Sequence, residues 1–181
     1  MRVGIADHLG WAVAVTASPA HEVVDRRRLE LVEPGLTAAP IHYESHRLDV
    51  AATAALVAKV RASVLRATTA AFDELAAALP APVVSISLRR WPPDFPDDIA
   101  VQRRSPYEAR ADAIMYRKIL AEVAQARGWE VRLYDAKRVI GQAADVLGGQ
   151  AEQILQSPRA QLGPPWTKDH RTAFAAAIVT R

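Results

Sequence analysis

The sequence predicts an α/β protein with a mixed five-stranded sheet covered by helices on both faces. Two short apolar runs around a glycine turn predict a β-hairpin, and an arginine-containing segment with the pattern of a half-exposed strand follows it. After this segment, helical and strand patterns alternate twice along the chain. Three antiparallel strands followed by two β–α crossovers produce such a sheet. With 181 residues, we expect a single domain spanning residues 1–181.

The first three strands lie in the amino-terminal part of the chain. The segment Val3–Ala17 holds the two apolar runs, and Gly10 lies in the turn between them. In the segment Val23–Val32, alternate positions from Val24 form two sets, one with Arg26 and Arg28 and the other with Arg27, Leu29 and Leu31. The arginines are compatible with a half-exposed strand at or near an edge of the sheet. Prolines and Gly35 then predict a loop over Glu33–Leu48.

A long helix is predicted next, with Asp49 as its N-cap and an end near Leu79. Its apolar stripe has helical spacing and comprises Leu56, Val60, Val64, Phe72, Leu75 and Leu79. Two prolines end the helix, and Val83–Leu88 is a short apolar strand. The proline-rich and tryptophan-containing stretch Arg89–Arg104 is predicted to be a loop.

The remaining elements alternate between helix and strand. Ser105-Pro106-Tyr107-Glu108 predicts a helix start in which the serine caps, the proline takes the first position and the glutamate completes a capping box. This helix ends at Gly128, and Trp129–Tyr134 is the fifth strand. The predicted helices after it are Ala136–Leu147, Gln150–Gln156, and a last helix that Thr167 caps and that runs to about Val179.

The composition is that of a globular protein. Half of the residues are hydrophobic, about a quarter are charged, and the net charge is +3, which favours a nucleic-acid partner only slightly. The absence of cysteine excludes disulfides and thiolate metal sites and is typical of a reducing, cytoplasmic setting. Charged residues interrupt every apolar run, so we expect no targeting segment and no membrane partner.

Motifs at the two ends of the chain suggest a family. Val3-Gly-Ile-Ala-Asp7-His-Leu-Gly-Trp-Ala-Val places an acid in the first strand ahead of a glycine turn. Asp169-His-Arg-Thr172-Ala-Phe-Ala-Ala-Ala-Ile places another acid at the start of an alanine-rich last helix. Between them, a helix ends in Arg127-Gly128, and a strand leads into Lys137-Arg138. In this order the motifs resemble the ribonuclease-H-like superfamily, and within it the branch of the RuvC and YqgF-type Holliday-junction resolvases.

This resemblance implies a three-layer ribonuclease-H-like fold and metal-dependent cleavage of DNA or RNA. The family hydrolyses phosphodiesters with two hard cations, Mg or Mn, about 4 Å apart and held by carboxylates. Asp7 matches the first metal ligand and Asp169 matches an acid of the last helix, which makes both the predicted catalytic and metal-binding residues. His170, next to Asp169, is a further catalytic candidate.

The sequence departs from the family pattern at two positions. The family carries a glutamate at the end of the fourth strand, whereas the stretch from Ser85 to Arg90 contains no carboxylate. The second acid of the last helix is replaced by Thr172. His170 or Glu44 could supply the missing ligand, and Asp112 is a further candidate on another helix.

Each candidate has a structural alternative. Asp7 could be only the polar end of the hairpin, and an acid in the first turn of a helix, such as Asp169, is favoured by the helix dipole whatever its function. His42, Glu44 and His46 are residue types that bind zinc, although their spacing matches no known metal motif.

Basic residues flank the predicted loop after the fourth strand. Four arginines there could form one patch that binds nucleic-acid phosphates, with Trp91 available to stack on a base. These are Arg89, Arg90, Arg103 and Arg104. A solvated loop is the alternative interpretation. Gly148-Gly149 lacks the lysine and the hydroxyl residue of a phosphate-binding loop, which excludes nucleotide binding through it.

Three functions are compatible with the sequence. The first is a Mg- or Mn-dependent nuclease, and the second is a catalytically degenerate relative that binds nucleic acid or a protein partner. The third is a nucleotide- or small-molecule-binding protein, because actin-like kinases share this architecture. Retention of Asp7 and Asp169 favours the first, and the missing fourth-strand carboxylate favours the second. The sequence is also compatible with a homodimer.

Overall fold

The computed structural model describes residues 1–179, except for the side chain of Gln161. Five strands form one sheet in the order β3-β2-β1-β4-β5. They are β1 (Arg2–Asp7), β2 (Trp11–Ala17), β3 (Val23–Glu30), β4 (Ser85–Arg89) and β5 (Glu130–Tyr134). The first three strands pair antiparallel, and β4 and β5 run parallel to β1. This confirms the predicted mixed sheet, with the strand of Asp7 at its centre and β3 at an edge.

Helices cover both faces of the sheet. They are α1 (Val50–Ala78), α2 (Ile99–Gln102), α3 (Glu108–Ala126), α4 (Val139–Leu147), α5 (Ala151–Gln156), α6 (Pro158–Leu162) and α7 (Lys168–Ile178). The helix α2 lies in the predicted loop Arg89–Arg104, and α6 lies in a segment for which the sequence predicts no element. Helical turns also occupy residues 40–47 of the predicted loop Glu33–Leu48. Among residues 1–179, no helix combines the length and the hydropathy needed to cross a membrane.

The two faces of β1 pack against different helices. Val3 and Ile5 belong to the core beneath α1 and α3, whereas Ala6 belongs to the core beneath α4 and α7. A Cβ atom on Gly4 would lie 1.8 Å from the carbonyl oxygen of Ala173 in α7. The backbone of α7 therefore touches β1 directly, and only a residue without a side chain fits at position 4.

The helix ends confirm two of the predicted caps and correct a third. The Asp49 carboxylate accepts a hydrogen bond from the Ala52 N–H at 2.7 Å, and Thr167 begins α7 in a capping box. Ser105 does not cap α3, which begins at Glu108 without a side-chain cap. The predicted capping box was wrong because the chain turns before the helix, where the Arg104 carbonyl accepts from the N–H groups of both Tyr107 and Glu108.

Candidate functional site

Three parallel strands end at one edge of the sheet, which we call the carboxyl edge. Their last residues are Asp7 of β1, Arg89 of β4 and Tyr134 of β5, and the last two are register partners. In open α/β sheets, ligands bind outside the carboxyl ends of the strands. We therefore expect a functional site at this edge.

Asp7 is buried at this edge between two arginines. Its side chain is 2% exposed, and its Oδ2 accepts a hydrogen bond of 2.7 Å from Nε of Arg117 in α3. Its Oδ1 lies 3.9 Å from Nε of Arg89, which is beyond hydrogen-bond distance. Both of these facing atoms are buried and have no hydrogen-bond partner. A positive charge on α3 thus neutralises Asp7, and a second one lies beside it.

Tyr134 lies beside Asp7 and Arg89. Its hydroxyl donates a hydrogen bond of 2.7 Å to the carbonyl oxygen of Ile5. Burial, together with the negative charge of Asp7, raises the pKa of Tyr134 to about 12. The phenol therefore stays neutral near pH 7 and adds no negative charge to the site.

Asp169 occupies a different environment at the start of α7. Its Oδ2 lies 3.1 Å from Nε2 of His8, and both side chains are about one-third exposed, at 34% and 37%. The His8 ring stacks on Trp11 with centroids 4.0 Å apart, and the Arg28 guanidinium lies 3.9 Å from the Trp11 ring centroid. Asp169 is thus part of a half-exposed aromatic and charged cluster on the α7 face.

Strand alternation directs the two acids to different faces of the sheet. Successive side chains of a strand point to opposite faces; Val3 and Ile5 face α1 and α3, and Gly4 faces α7. Asp7 follows the odd-numbered set, as its bond to Arg117 on α3 shows. The structure therefore does not bring Asp7 and Asp169 onto one face of the sheet.

The third predicted catalytic residue, His170, contributes to the start of α7. Its Nδ1 accepts a hydrogen bond from the Thr167 N–H at 3.3 Å and lies 2.9 Å from the Thr167 hydroxyl oxygen. The side chain is buried, and desolvation, followed by the charge of Arg26, lowers the pKa of His170. These contacts give His170 a structural role at the helix end.

The donor set at the carboxyl edge does not fit the Mg or Mn pair that the resemblance implies. Such cations need several oxygen ligands each, whereas Asp7 faces two guanidinium groups and Asp169 pairs with a histidine. Within residues 1–179, no three histidine, aspartate or glutamate side chains come together in a group that could hold a metal ion. The loop residues His42, Glu44 and His46 therefore form no such group.

Asp112, the further acidic candidate, also has a structural role. It is 2% exposed, and its two carboxylate oxygens accept hydrogen bonds from the N–H groups of Ile41 and His42 at 3.1 and 2.8 Å. Burial raises the pKa of Asp112, partly offset by these hydrogen bonds. The residue fixes the turn over residues 40–44 against α3.

The four predicted nucleic-acid-binding arginines differ in their contacts and in their exposure to solvent. Arg103 donates to the carbonyl oxygens of Ser45 and Leu48 and thereby fixes that segment, and Arg89 lies beside Asp7. Arg90 and Arg104 are exposed. The predicted patch therefore contains two arginines with interactions inside the protein and two that face solvent.

Sequence reasoning missed two sets of residues at this edge. Arg117 is 110 positions from Asp7, and no local motif indicates that the two side chains meet. Lys137 and Arg138 are exposed and follow β5 just as Arg90 follows β4. The parallel crossover predicted from the sequence would have placed them beside Arg90.

Comparisons with known proteins provide a fold but no family. No protein-family model matches the chain, and no curated protein matches it. A solved structure of T. thermophilus RuvC in complex with a Holliday junction substrate aligns with 98% of this chain and 89% of its own, at 11% identity and a TM-score of 0.50. At this level of identity the match concerns the fold alone. The chain therefore has the ribonuclease-H-like fold that its motifs predict, in a form similar to that of RuvC.

Proposed function

We propose that the protein binds DNA or RNA at the carboxyl edge of its sheet and does not cleave it through a metal pair. One observation carries this proposal. The family pattern has a glutamate at the end of the fourth strand, and here β4 ends in Arg89, with Asp7 bonded to Arg117. Two positive charges stand where metal binding requires negative ones, so the site attracts anions and repels divalent cations.

Exposed basic residues around this centre offer contacts to a phosphate backbone. Arg90 follows β4, and Lys137 and Arg138 follow β5, so all three start from the carboxyl edge. Arg104 lies at the same end of the molecule, because α3 begins there and leads back to the amino end of β5. We call Arg90, Arg104, Lys137 and Arg138 the edge cluster. A partly buried Trp91 lies beside it and is suited to stacking on a base.

Binding can be tested by fluorescence anisotropy with a labelled 25-base-pair duplex, a four-way DNA junction and a single-stranded RNA, each over a range of salt concentrations. Each lysine or arginine on a phosphate contributes about 0.9 to the slope of log affinity against log salt. On the duplex, replacement of the whole edge cluster by alanine should lower the magnitude of this slope by about 3.6 and weaken binding at least about 100-fold. The control replaces three exposed basic residues of α1 instead, namely Lys59, Arg61 and Arg66.

Two results would contradict the proposal. The first is that the wild-type protein binds none of the three nucleic acids, which would favour a protein partner. The second is cleavage of any of them in Mg²⁺ or Mn²⁺ that Asp7→Asn abolishes, because this would establish the metal-dependent nuclease with Asp7 as a ligand. We expect binding without cleavage.

A further inference from the structure

The group around Asp7 carries one more positive charge than negative. Asp7 is its carboxylate, Arg89 and Arg117 are its guanidinium groups, and Tyr134 is neutral. We infer that Arg89, which lies beside the bonded pair of Asp7 and Arg117, binds a phosphate group in the place where the resemblance implies a metal pair. This inference rests on the proposed function and names the chemical group of the nucleic acid that the centre of the site takes.

The two arginines have different roles in this centre. Arg117 is 12% exposed and donates a 2.7 Å hydrogen bond to Asp7, so its charge is compensated inside the protein. Arg89 is 34% exposed and its Nε lies 3.9 Å from Asp7, without a hydrogen-bond partner. Arg89 therefore combines a charge that no hydrogen bond to Asp7 offsets, a buried Nε without a partner and a side chain that reaches solvent.

The chemistry of the guanidinium group favours phosphate as the ligand of Arg89. A buried donor without a partner is costly, and the planar fork of arginine matches the oxygens of a phosphate in a bidentate arrangement. Asp7 and Tyr134, whose hydroxyl is bonded to Ile5, both lie beside the Arg89 side chain. An inserted phosphate would contribute the negative charge that this centre lacks.

Phosphate binding can be measured on the full chain by calorimetry and by NMR of the arginine Nε–H groups, with inorganic phosphate as the first probe and the 25-base-pair duplex as the second. Arg89→Gln should weaken binding of both probes at least about 10-fold, since it removes a charge-assisted bidentate contact. In the wild type, phosphate should shift the Arg89 Nε–H resonance. Arg132→Gln is the matched control, because Arg132 is a strand arginine of 25% exposure that is already paired with Glu130.

The outcomes separate this inference from the proposed function. If folded Arg89→Gln binds both probes like the wild type, the inference is overturned, and duplex binding through the edge cluster still supports the function. If phosphate binds at Arg89 but no nucleic acid binds, the function is overturned and the ligand is a free phosphate compound. Circular dichroism checks the fold of each variant. If Arg89→Gln does not fold, Arg89→Lys replaces it: this variant keeps the charge but loses the fork, and should still weaken binding of both probes.

Discussion

The resemblance assigns Asp7 and Asp169 to one metal site, yet the two side chains lie in opposite environments. Asp7 is 2% exposed and bonded to an arginine on α3, whereas Asp169 is about one-third exposed and pairs with a histidine on the α7 face. The two residues are of one chemical type and lie near one end of the molecule. The difference shows that the direction of a side chain across the sheet determines which partners a residue of a given type can reach.

The register of β1 sets this difference. Gly4 and Ala6 of β1 face α7 and are small, and Ala6 lies one position before the acid. Because side chains alternate, a shift of one residue moves an acid to the other face of a sheet. An acid at position 6 would face α7, while the acid at position 7 faces α1 and α3 and meets Arg117.

The largest effect should come from Gly4→Ala, which tests the close packing of the α7 face. The new Cβ would lie 1.8 Å from the Ala173 carbonyl oxygen and 2.8 Å from the Ala177 nitrogen, so α7 must move away from β1. We expect the free energy of unfolding in urea to fall by more than about 4 kcal/mol, or the protein not to fold.

Gly141→Ala in α4 is the control. Its Cβ meets nothing within 4 Å, so it should be neutral or stabilise by up to about 1 kcal/mol. A loss below 1 kcal/mol in Gly4→Ala would show that α7 packs less closely than described.

The second prediction compares the two acids directly. Asp7→Asn leaves the largely buried Arg117 charge without its partner and should destabilise the protein by about 2–4 kcal/mol. Asp169→Asn makes the same chemical change in a partly exposed pair and should cost less than about 1 kcal/mol. Both values come from denaturation in urea at pH 7. Equal losses of stability in the two variants would contradict the prediction, because they would show that burial does not distinguish the two ion pairs.

The smallest effect concerns Asp112 and depends on pH. Burial raises the folded-state pKa of Asp112 above its unfolded value. Its contribution to stability is therefore greatest below the unfolded pKa and is lost as the pH rises through the folded-state pKa. Because Asn does not titrate, the stability advantage of the wild type over Asp112→Asn should be larger at pH 4 than at pH 7. Urea denaturation of both proteins at the two pH values measures this difference, and an advantage that grows towards pH 7 would contradict the prediction.

Most of the fold could be predicted because it depends on local patterns. The hairpin, the helix capped by Asp49 and the β–α crossovers follow from apolar periodicity and turn residues. The start of α3 was mispredicted because Ser105 takes part in a turn, and α6 was missed because Pro158–Leu162 has no apolar period of its own.

Less of the site could be predicted. The face of Asp7 can be read from its odd spacing with Val3 and Ile5, and the small residues Gly4 and Ala6 mark the side on which a helix approaches. The identity of its partner cannot be read in this way, because Arg117 reaches Asp7 only through the packing of α3 on the sheet. Spacing along the chain carries no information about a contact that tertiary packing creates.

The bond between Asp7 and Arg117 has a consequence for how this protein can change over evolutionary time. Loss of either partner leaves an uncompensated charge in the interior, whereas exchange of both for apolar residues of similar volume is tolerated by buried pairs in general. The two positions are therefore expected to vary together, because each single change passes through a variant with an uncompensated buried charge. For this chain, the arginine on α3 ties the residue at position 7 to the residue at position 117.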